Sequence, residues 1–190
     1  MRRAAVVGLA FASAVAVAFE PRAAEAGEPP FAVSVEGGVG HYTGALGSSM
    51  KLGGVWGVRA EGFVSPAFEV GLAYVGGANQ VGAGDAMSQP VLQRDGGEAT
   101  VKAMPLEGPL RPYLEAGAGM THFHVRGGNP GADVHGATTF TVPVALGVQA
   151  NAGVLRLGAA VGGELLVGDK PVDPGGGVRL DATLNLGARF

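Results

Sequence analysis

The chain has 190 residues, no cysteine and a formal net charge of −3 at pH 7. The lack of cysteine excludes disulfides, thiolate metal sites, a cysteine nucleophile and a lipoprotein anchor, and the small negative charge does not indicate nucleic acid binding. The sequence holds 35 glycines and is only 15% charged, against about 25% charged residues in ordinary soluble domains. Such a composition is typical of low-complexity sequence or of β-structure with closely packed backbones.

The first segment has the pattern of a secretory signal peptide. Arg2 and Arg3 precede an apolar run from Ala4 to Phe19, and Ala24-Glu25-Ala26 has the small residues that signal peptidase recognises. We expect residues 1–26 to be cleaved and residues 27–190 to form one domain. No later segment has about eighteen consecutive apolar residues, so the sequence predicts no transmembrane helix there.

Eight later segments alternate apolar and polar residues with a period of two, as β-strands with two different faces do. The last one is the clearest, because every second residue from Val178 to Phe190 is apolar. The fourth is the shortest, since Pro105 ends it. The predicted strands are Phe31–Gly40, Val55–Val64, Phe68–Val75, Ala99–Ala103, Tyr113–Phe123, Thr138–Ala150, Val154–Val167 and Val178–Phe190.

Long and short connections alternate along the chain. Residues 43–53, 77–97, 126–136 and 168–177 are long and rich in glycine and polar residues, whereas the other connections, such as Ser65-Pro66-Ala67 and Asn151-Ala152-Gly153, are turns. Short turns at one end and long loops at the other are typical of antiparallel up-and-down barrels in bacterial outer membranes. The sequence therefore predicts an all-β, eight-stranded transmembrane barrel.

The polar face of the strands distinguishes this barrel from a soluble eight-stranded carrier. It carries mostly small residues with scattered charges, so we expect it to line a narrow interior rather than to meet bulk water. Charges in such an interior must pair, because an unpaired buried charge costs several kcal/mol. We predict a plugged lumen whose charge network consists of Glu36, Arg59, Glu61, Glu69, Lys102, Glu115, Arg156, Glu164, Arg179, Asp181 and Arg189.

Aromatic residues are expected at both ends of the outer wall, as in the aromatic girdles of membrane barrels. The alternation places Trp56, Tyr74 and Phe140 near the loop ends of their strands. It places Phe31, Phe68 and Phe190 near the turn ends.

Two features resemble the family of small eight-stranded bacterial outer-membrane barrels, which includes the OmpA-type transmembrane domain and the OmpX-like and OmpW-like proteins. They are the segment from Arg111 to Gly119 and the last strand, which ends in Phe190. The resemblance implies that Phe190 is read by the outer-membrane assembly machinery, and that membrane lipids and lipopolysaccharide are partners. It implies three alternative functions: structural anchoring with surface interaction through the loops, passage of small hydrophobic solutes, or lipid modification. We expect the first, with an unknown extracellular ligand of the loops.

Four histidines, His41, His122, His124 and His135, fall near the loop ends of their strands. His122 and His124 share one strand face and could hold a metal ion if another histidine approached, but interfacial or loop histidines are the favoured interpretation. We therefore expect no metal and no cofactor.

Barrel enzymes that deacylate lipid A use serine, histidine and an acid on the outer wall. The strand of His122 and His124 has Thr121 and no serine, so we expect no enzyme. A histidine within reach of a hydroxyl group and an acid on the outer wall would argue otherwise. The segment from Gly82 to Gly97, with Asp85 and Asp95, could bind calcium or a partner, but a solvated loop is the favoured interpretation.

Overall fold

The computed structural model describes residues 30–82, 90–127, 136–167 and 177–190. Within these residues eight strands form a closed antiparallel barrel in chain order, with the first strand paired to the last. The predicted all-β, eight-stranded, up-and-down architecture is confirmed. The strands are β1 (Phe31–Tyr42), β2 (Gly53–Ser65), β3 (Phe68–Gln80), β4 (Val91–Ala103), β5 (Leu110–Arg126), β6 (Ala137–Ala152), β7 (Leu155–Val167) and β8 (Val178–Arg189), and a short helix α1 (Gly44–Ser49) lies between β1 and β2.

None of the described helical residues forms a segment long and apolar enough to span a membrane. The predicted signal peptide lies outside the described residues.

β4 is the strand that the sequence pattern underestimates. It begins at Val91 instead of Ala99, and it pairs with β3 continuously from Phe68 opposite Ala103 to Gln80 opposite Val91. The predicted loop over residues 77–97 is therefore too long, since residues 77–80 and 91–97 belong to β3 and β4, and Asp95 lies in a strand. Polar residues occupy both faces of the missed part of β4, so the alternation that identifies a half-buried strand is absent there.

Smaller differences concern strand ends. β5 extends beyond the predicted Tyr113–Phe123 in both directions, and α1 forms in a segment predicted as loop. The turn between β6 and β7 consists of Gly153 and Val154, not of residues 151–153, because Asn151 and Ala152 still pair with β7. Gly153 has a φ of +59°, which suits the first central position of a type II′ turn, where glycine is favoured.

The barrel has charged side chains inside and apolar side chains outside, which is the reverse of the arrangement in a soluble protein. Arg156 and Arg179 are among its most deeply buried side chains, whereas Leu72 and Leu184 are 68% and 69% exposed on the outer wall. Exposed apolar side chains of this size occur on every strand. A continuous apolar surface is unfavourable in water by about 25 cal/mol per Å², so the wall is suited to hydrocarbon.

Most of the predicted girdle residues lie at the predicted ends of the wall, but Tyr74 lies at the middle of β3 rather than near its loop end. Trp56 and Phe140 are near the loop ends of β2 and β6, and Phe31 and Phe68 begin β1 and β3 at the turn end. Phe190 follows β8 directly, and its backbone N–H donates to the Phe31 carbonyl oxygen at 2.8 Å. The last residue thereby takes part in closing the barrel.

Close packing of an aromatic ring on a glycine gives the first prediction. The Tyr113 ring lies against Gly147 on the neighbouring strand, where an added Cβ would overlap it. We expect Gly147→Ala to lower the free energy of unfolding by about 1–3 kcal/mol, because overpacking forces side chains from their preferred positions. Urea unfolding of the folded protein in lipid vesicles measures this change.

Gly97→Ala is the matched control. A Cβ at Gly97 would approach nothing more closely than the Ala73 carbonyl oxygen, at 3.9 Å. We expect this change to alter stability by less than about 0.5 kcal/mol. Equal effects of the two substitutions would show that the Tyr113 contact does not matter.

Candidate functional site

The interior of the barrel holds charged side chains from seven of the eight strands, all except β6, and we call this set the interior charge network. The structure places all eleven predicted residues on the inward face of their strands. It adds Arg94, Glu98 and Arg111, which are buried on the same face. Acidic and basic members are then equal in number. The acidic members are Glu36, Glu61, Glu69, Glu98, Glu115, Glu164 and Asp181; the basic members are Arg59, Arg94, Lys102, Arg111, Arg156, Arg179 and Arg189.

Four of these side chains form a cluster toward the turn end. Lys102 Nζ lies 2.5 Å from Glu61 Oε1, and Arg156 on β7 donates to Glu61 at 2.7 Å. Arg156 also contacts Glu69 at 2.9 Å. Because β7 faces β2 and β3 across the lumen, Arg156 connects opposite walls. These are charge-assisted hydrogen bonds in a site closed to bulk solvent, where such bonds are strong.

A second group lies in the middle of the barrel. Arg59 contacts Glu36 at 2.8 Å and Glu115 at 2.9 Å. A cavity of about 80 Å³ lies beside these side chains and is also lined by Glu98, for which the described residues provide no ion-pair partner within 4.0 Å. The cavity has room for water molecules and polar groups to bind them.

A third group lies toward the loop end. Arg94 of β4 pairs with Glu164 of β7, and Arg179 lies 3.0 Å from Asp181 and 3.6 Å from Glu164. Thr121 donates to the same glutamate at 3.2 Å. Arg94 and Glu164 lie on different sides of the barrel, so this group also connects opposite walls.

An apolar layer closes the loop end of the lumen above the charges. Tyr42, Met50, Leu92 and Phe123 pack together there, with Val81, Val125 and Leu166 against them. Met50 reaches this layer because the segment after α1 forms a β-bridge with Val81. The described interior is thus an apolar layer over three charged groups.

Aromatic rings support the arginines and the lysine. Phe63 contacts both Arg156 and Arg189, with each guanidinium carbon 5.2 Å from the ring centroid. Lys102 Nζ lies 4.5 Å from the centroid of Tyr113. Such cation–π contacts are worth more where water is excluded, so the rings help to hold the cations away from bulk water.

Three members of the network were missed by sequence reasoning. Arg94 and Glu98 lie at positions that continue the inward face of Thr100 and Lys102, and the same parity would have found them had β4 been extended. Arg111 precedes Tyr113 and Glu115 on the inward face of β5. The signal was therefore present, but the strand ends were set too short.

The histidines of β5 point outward. His122 Nδ1 lies 3.0 Å from Thr138 Oγ1, and His124 Nδ1 lies 4.0 Å from Asp95 Oδ2. The described residues contain no group of three or more side chains able to hold a metal ion, and His135 lies outside them. The Thr138 hydroxyl group and His122 are thus in contact on the outer wall, while the Asp95 carboxylate lies near His124.

Comparison with known proteins shows that this fold is similar to those of solved bacterial β-barrel proteins. No family model and no curated protein matches the sequence. Neisserial surface protein A has a TM-score of 0.64 and 16% identity, over 86% of this chain and 99% of that one. The attachment invasion locus protein Ail of Yersinia pestis has a TM-score of 0.59 and 12% identity, and the match covers 86% of this chain and 100% of Ail. The outer membrane protein OprG of Pseudomonas aeruginosa has a TM-score of 0.56 and 11% identity, and the match covers 86% of this chain and 98% of OprG. At these identities the likeness shows the fold.

The second prediction concerns the cross-lumen arginine. We expect Arg156→Leu to lower the free energy of unfolding by about 3–5 kcal/mol, because it leaves Glu61 and Glu69 with less compensation in a buried site. The measurement is the urea midpoint of folded protein in lipid vesicles, followed by the emission of the single tryptophan.

Arg126→Leu is its control, because Arg126 is exposed at the end of β5. We expect a change of less than about 0.5 kcal/mol there. If both variants unfold at the midpoint of the unmodified chain, the network does not stabilise the barrel.

Proposed function

We propose that this chain is an integral outer-membrane protein whose barrel is structural and non-enzymatic, and whose loops contact a partner outside the cell. The observation that carries the proposal is the combination of an apolar outer wall with a charged, closed interior. The strands have 12 to 17 residues, and a tilted strand needs about 9–11 to cross a bilayer. Most of the charges in the interior have ion-pair partners there and need no water-filled pore.

The difference in length between the connections at the two ends of the barrel supports the proposal that the long loops face outside the cell. At one end the strands are joined by residues 66–67, 104–109 and 153–154, and at the other end by residues 43–52, 81–90, 127–136 and 168–177. In outer-membrane barrels the short turns face the periplasm and the long loops face outside. The long connections are therefore the part of this chain exposed to other cells and molecules.

The charge of the loops bears on the kind of partner. The Ail structure was solved in complex with the heparin analogue sucrose octasulfate. In the present chain the long connections carry more acidic than basic residues, Asp85, Asp133, Asp169 and Asp173 against Lys51 and Lys170. A polyanion of the heparin type would be repelled, so we propose a partner that is not polyanionic.

Passage of small hydrophobic solutes is the second candidate, and one observation favours it. This function calls for an apolar upper lumen, and an apolar layer of Tyr42, Met50, Leu92 and Phe123 is present at the loop end. The layer consists of buried side chains in contact, with charged residues directly beneath. Passage would require these side chains to move and the solute to leave sideways through the wall.

The third prediction tests membrane insertion and orientation. Because the chain has no cysteine, one cysteine can be introduced at the exposed loop-end residue Lys51 or at the exposed turn-end residue Glu107. We expect both variants in the outer-membrane fraction, with a gel mobility that changes on boiling. A membrane-impermeant maleimide should label Lys51→Cys on intact cells, and Glu107→Cys only after the outer membrane is permeabilised.

Recovery of the chain in the soluble periplasm without a change in mobility would overturn the membrane assignment. Labelling of Glu107→Cys alone on intact cells would reverse the orientation and remove the loops from the cell surface.

The fourth prediction tests whether the lumen is an open, water-filled pore. We expect liposomes that contain the folded chain to swell in isotonic arabinose no faster than protein-free liposomes, since the lumen is closed by charged groups and an apolar layer. Liposomes with a general porin provide the positive control. Swelling at a rate proportional to the amount of chain would contradict the plug.

A further inference from the structure

Two adjacent rows of outward residues run across the strands from the middle of β2 and β3 toward the loop ends of β6 and β7, the lower one mainly apolar and the upper one carrying the polar residues Asp95, His122 and Thr138. Each row follows direct cross-strand pairs, so its members are neighbours on the wall. The lower row is Val58, Tyr74, Gly97, Met120, Phe140 and Val167, and the upper row is Trp56, Gly76, Asp95, His122 and Thr138. The polar residues of the upper row therefore lie directly beside the apolar residues of the lower row, on the side nearer the loops.

We define the rim patch as Trp56, Tyr74, Asp95, His122 and Thr138. Four of its five side chains form two hydrogen-bonded pairs, which orient them. Tyr74 donates its hydroxyl hydrogen to Asp95 Oδ1 at 2.7 Å, and His122 Nδ1 and Thr138 Oγ1 are 3.0 Å apart. A carboxylate accepts up to about four hydrogen bonds, and the second ring nitrogen of a histidine can donate or accept. The patch can thus bind further polar groups without rearranging.

Trp56 gives the patch a flat apolar surface. Its indole lies over Gly76, where an added Cβ would overlap the ring, and Gly76 is the direct neighbour of Asp95. Trp56 and Tyr74 are 40% and 51% exposed. An exposed ring beside hydrogen-bonding groups can pack on the apolar face of a ligand while the polar groups orient it.

Charge distinguishes between classes of headgroup. With neutral histidines, the formal charge of the rim patch is that of Asp95. A carboxylate repels a phosphate or sulfate, whereas hydroxyl groups donate to it and accept from histidine and threonine. A ring bearing several hydroxyl groups matches both the aromatic surface and the hydrogen-bonding groups.

The patch is confined to one side of the barrel. On β7 and β8 the outward residues nearest the loop end are apolar and exposed, including Leu165, Val167 and Leu180. An interface that merely needed polar residues at the membrane border would place them around the whole circumference. Apart from His41 on β1, the outward polar side chains near the loop ends of the described strands lie on β3 to β6, and this concentration indicates a specific site.

We propose that the rim patch binds the sugar headgroup of a glycolipid, with the lipid chain lying against the apolar wall beneath it. The ligand is amphipathic, and the two rows present the matching polar and apolar surfaces in the same order. This site is separate from the loops and from the interior charge network, so it adds a lipid-binding function to the proposed surface role.

The test uses the full chain folded in phosphatidylcholine nanodiscs and the fluorescence of Trp56, the single tryptophan. The probe is decyl maltoside below its micellar concentration, compared with decyl phosphate. We expect a saturable change in emission with the maltoside and none with the phosphate. Asp95→Ala and His122→Ala should each weaken the apparent affinity by about threefold to tenfold, the value of one or two hydrogen bonds.

His41→Ala is the matched control, because His41 is an outward histidine at the loop end of β1, outside the patch. It should bind the maltoside as the unmodified chain does. Boiling-dependent gel mobility of every variant confirms insertion, so a failure to fold is distinguished from a failure to bind.

Three outcomes would overturn the proposal. Equal responses of all variants would show simple partition into the disc, and an equal response to decyl phosphate would show anion recognition. Release of fatty acid from outer membranes that stops in Thr138→Val would assign Thr138 and His122 to catalysis instead.

Discussion

The barrel depends on the pairing of charges across its lumen. Eight strands enclose an interior just wide enough for side chains to fill it, and an apolar exterior leaves the charged residues no other place. Arg156 of β7 reaches Glu61 and Glu69 on the opposite wall at 2.7 and 2.9 Å. Contacts of this kind fix the distance between the walls, so the shape of the barrel depends on the pairing of its interior charges.

The network makes its members interdependent. Glu61 is shared by Lys102 and Arg156, and Glu164 is shared by Arg94 and Arg179. Removing one partner from such a set leaves a buried charge, which costs more than the pair itself contributes. Substitutions of interior residues are therefore costly to stability. Variation in binding is easier on the loops and on the outer wall, where a substitution disturbs no buried charge.

The period-two alternation predicted the face of each network residue that it reached, because the direction of a strand side chain depends only on parity. It could not predict the partners, since Arg156 and Glu61 are 95 residues apart and meet only through the strand register. The alternation failed on β4, where Gln93 and Asp95 face outward and Arg94 and Glu98 face inward. With polar residues on both faces, a strand has no apolar stripe to recognise.

The same residues explain why the alternation did not predict the first part of β4 and why the rim patch exists. Gln93 and Asp95 removed the strand signal because they stand where a membrane barrel would ordinarily present apolar residues, and the register then sets Asp95 beside His122 and His122 beside Thr138. A carboxylate at the edge of hydrocarbon is costly unless it is hydrogen-bonded, and Tyr74 supplies one such bond. Outward polar residues that a barrel could replace with apolar ones mark a functional site, since local rules are broken mainly where function requires it.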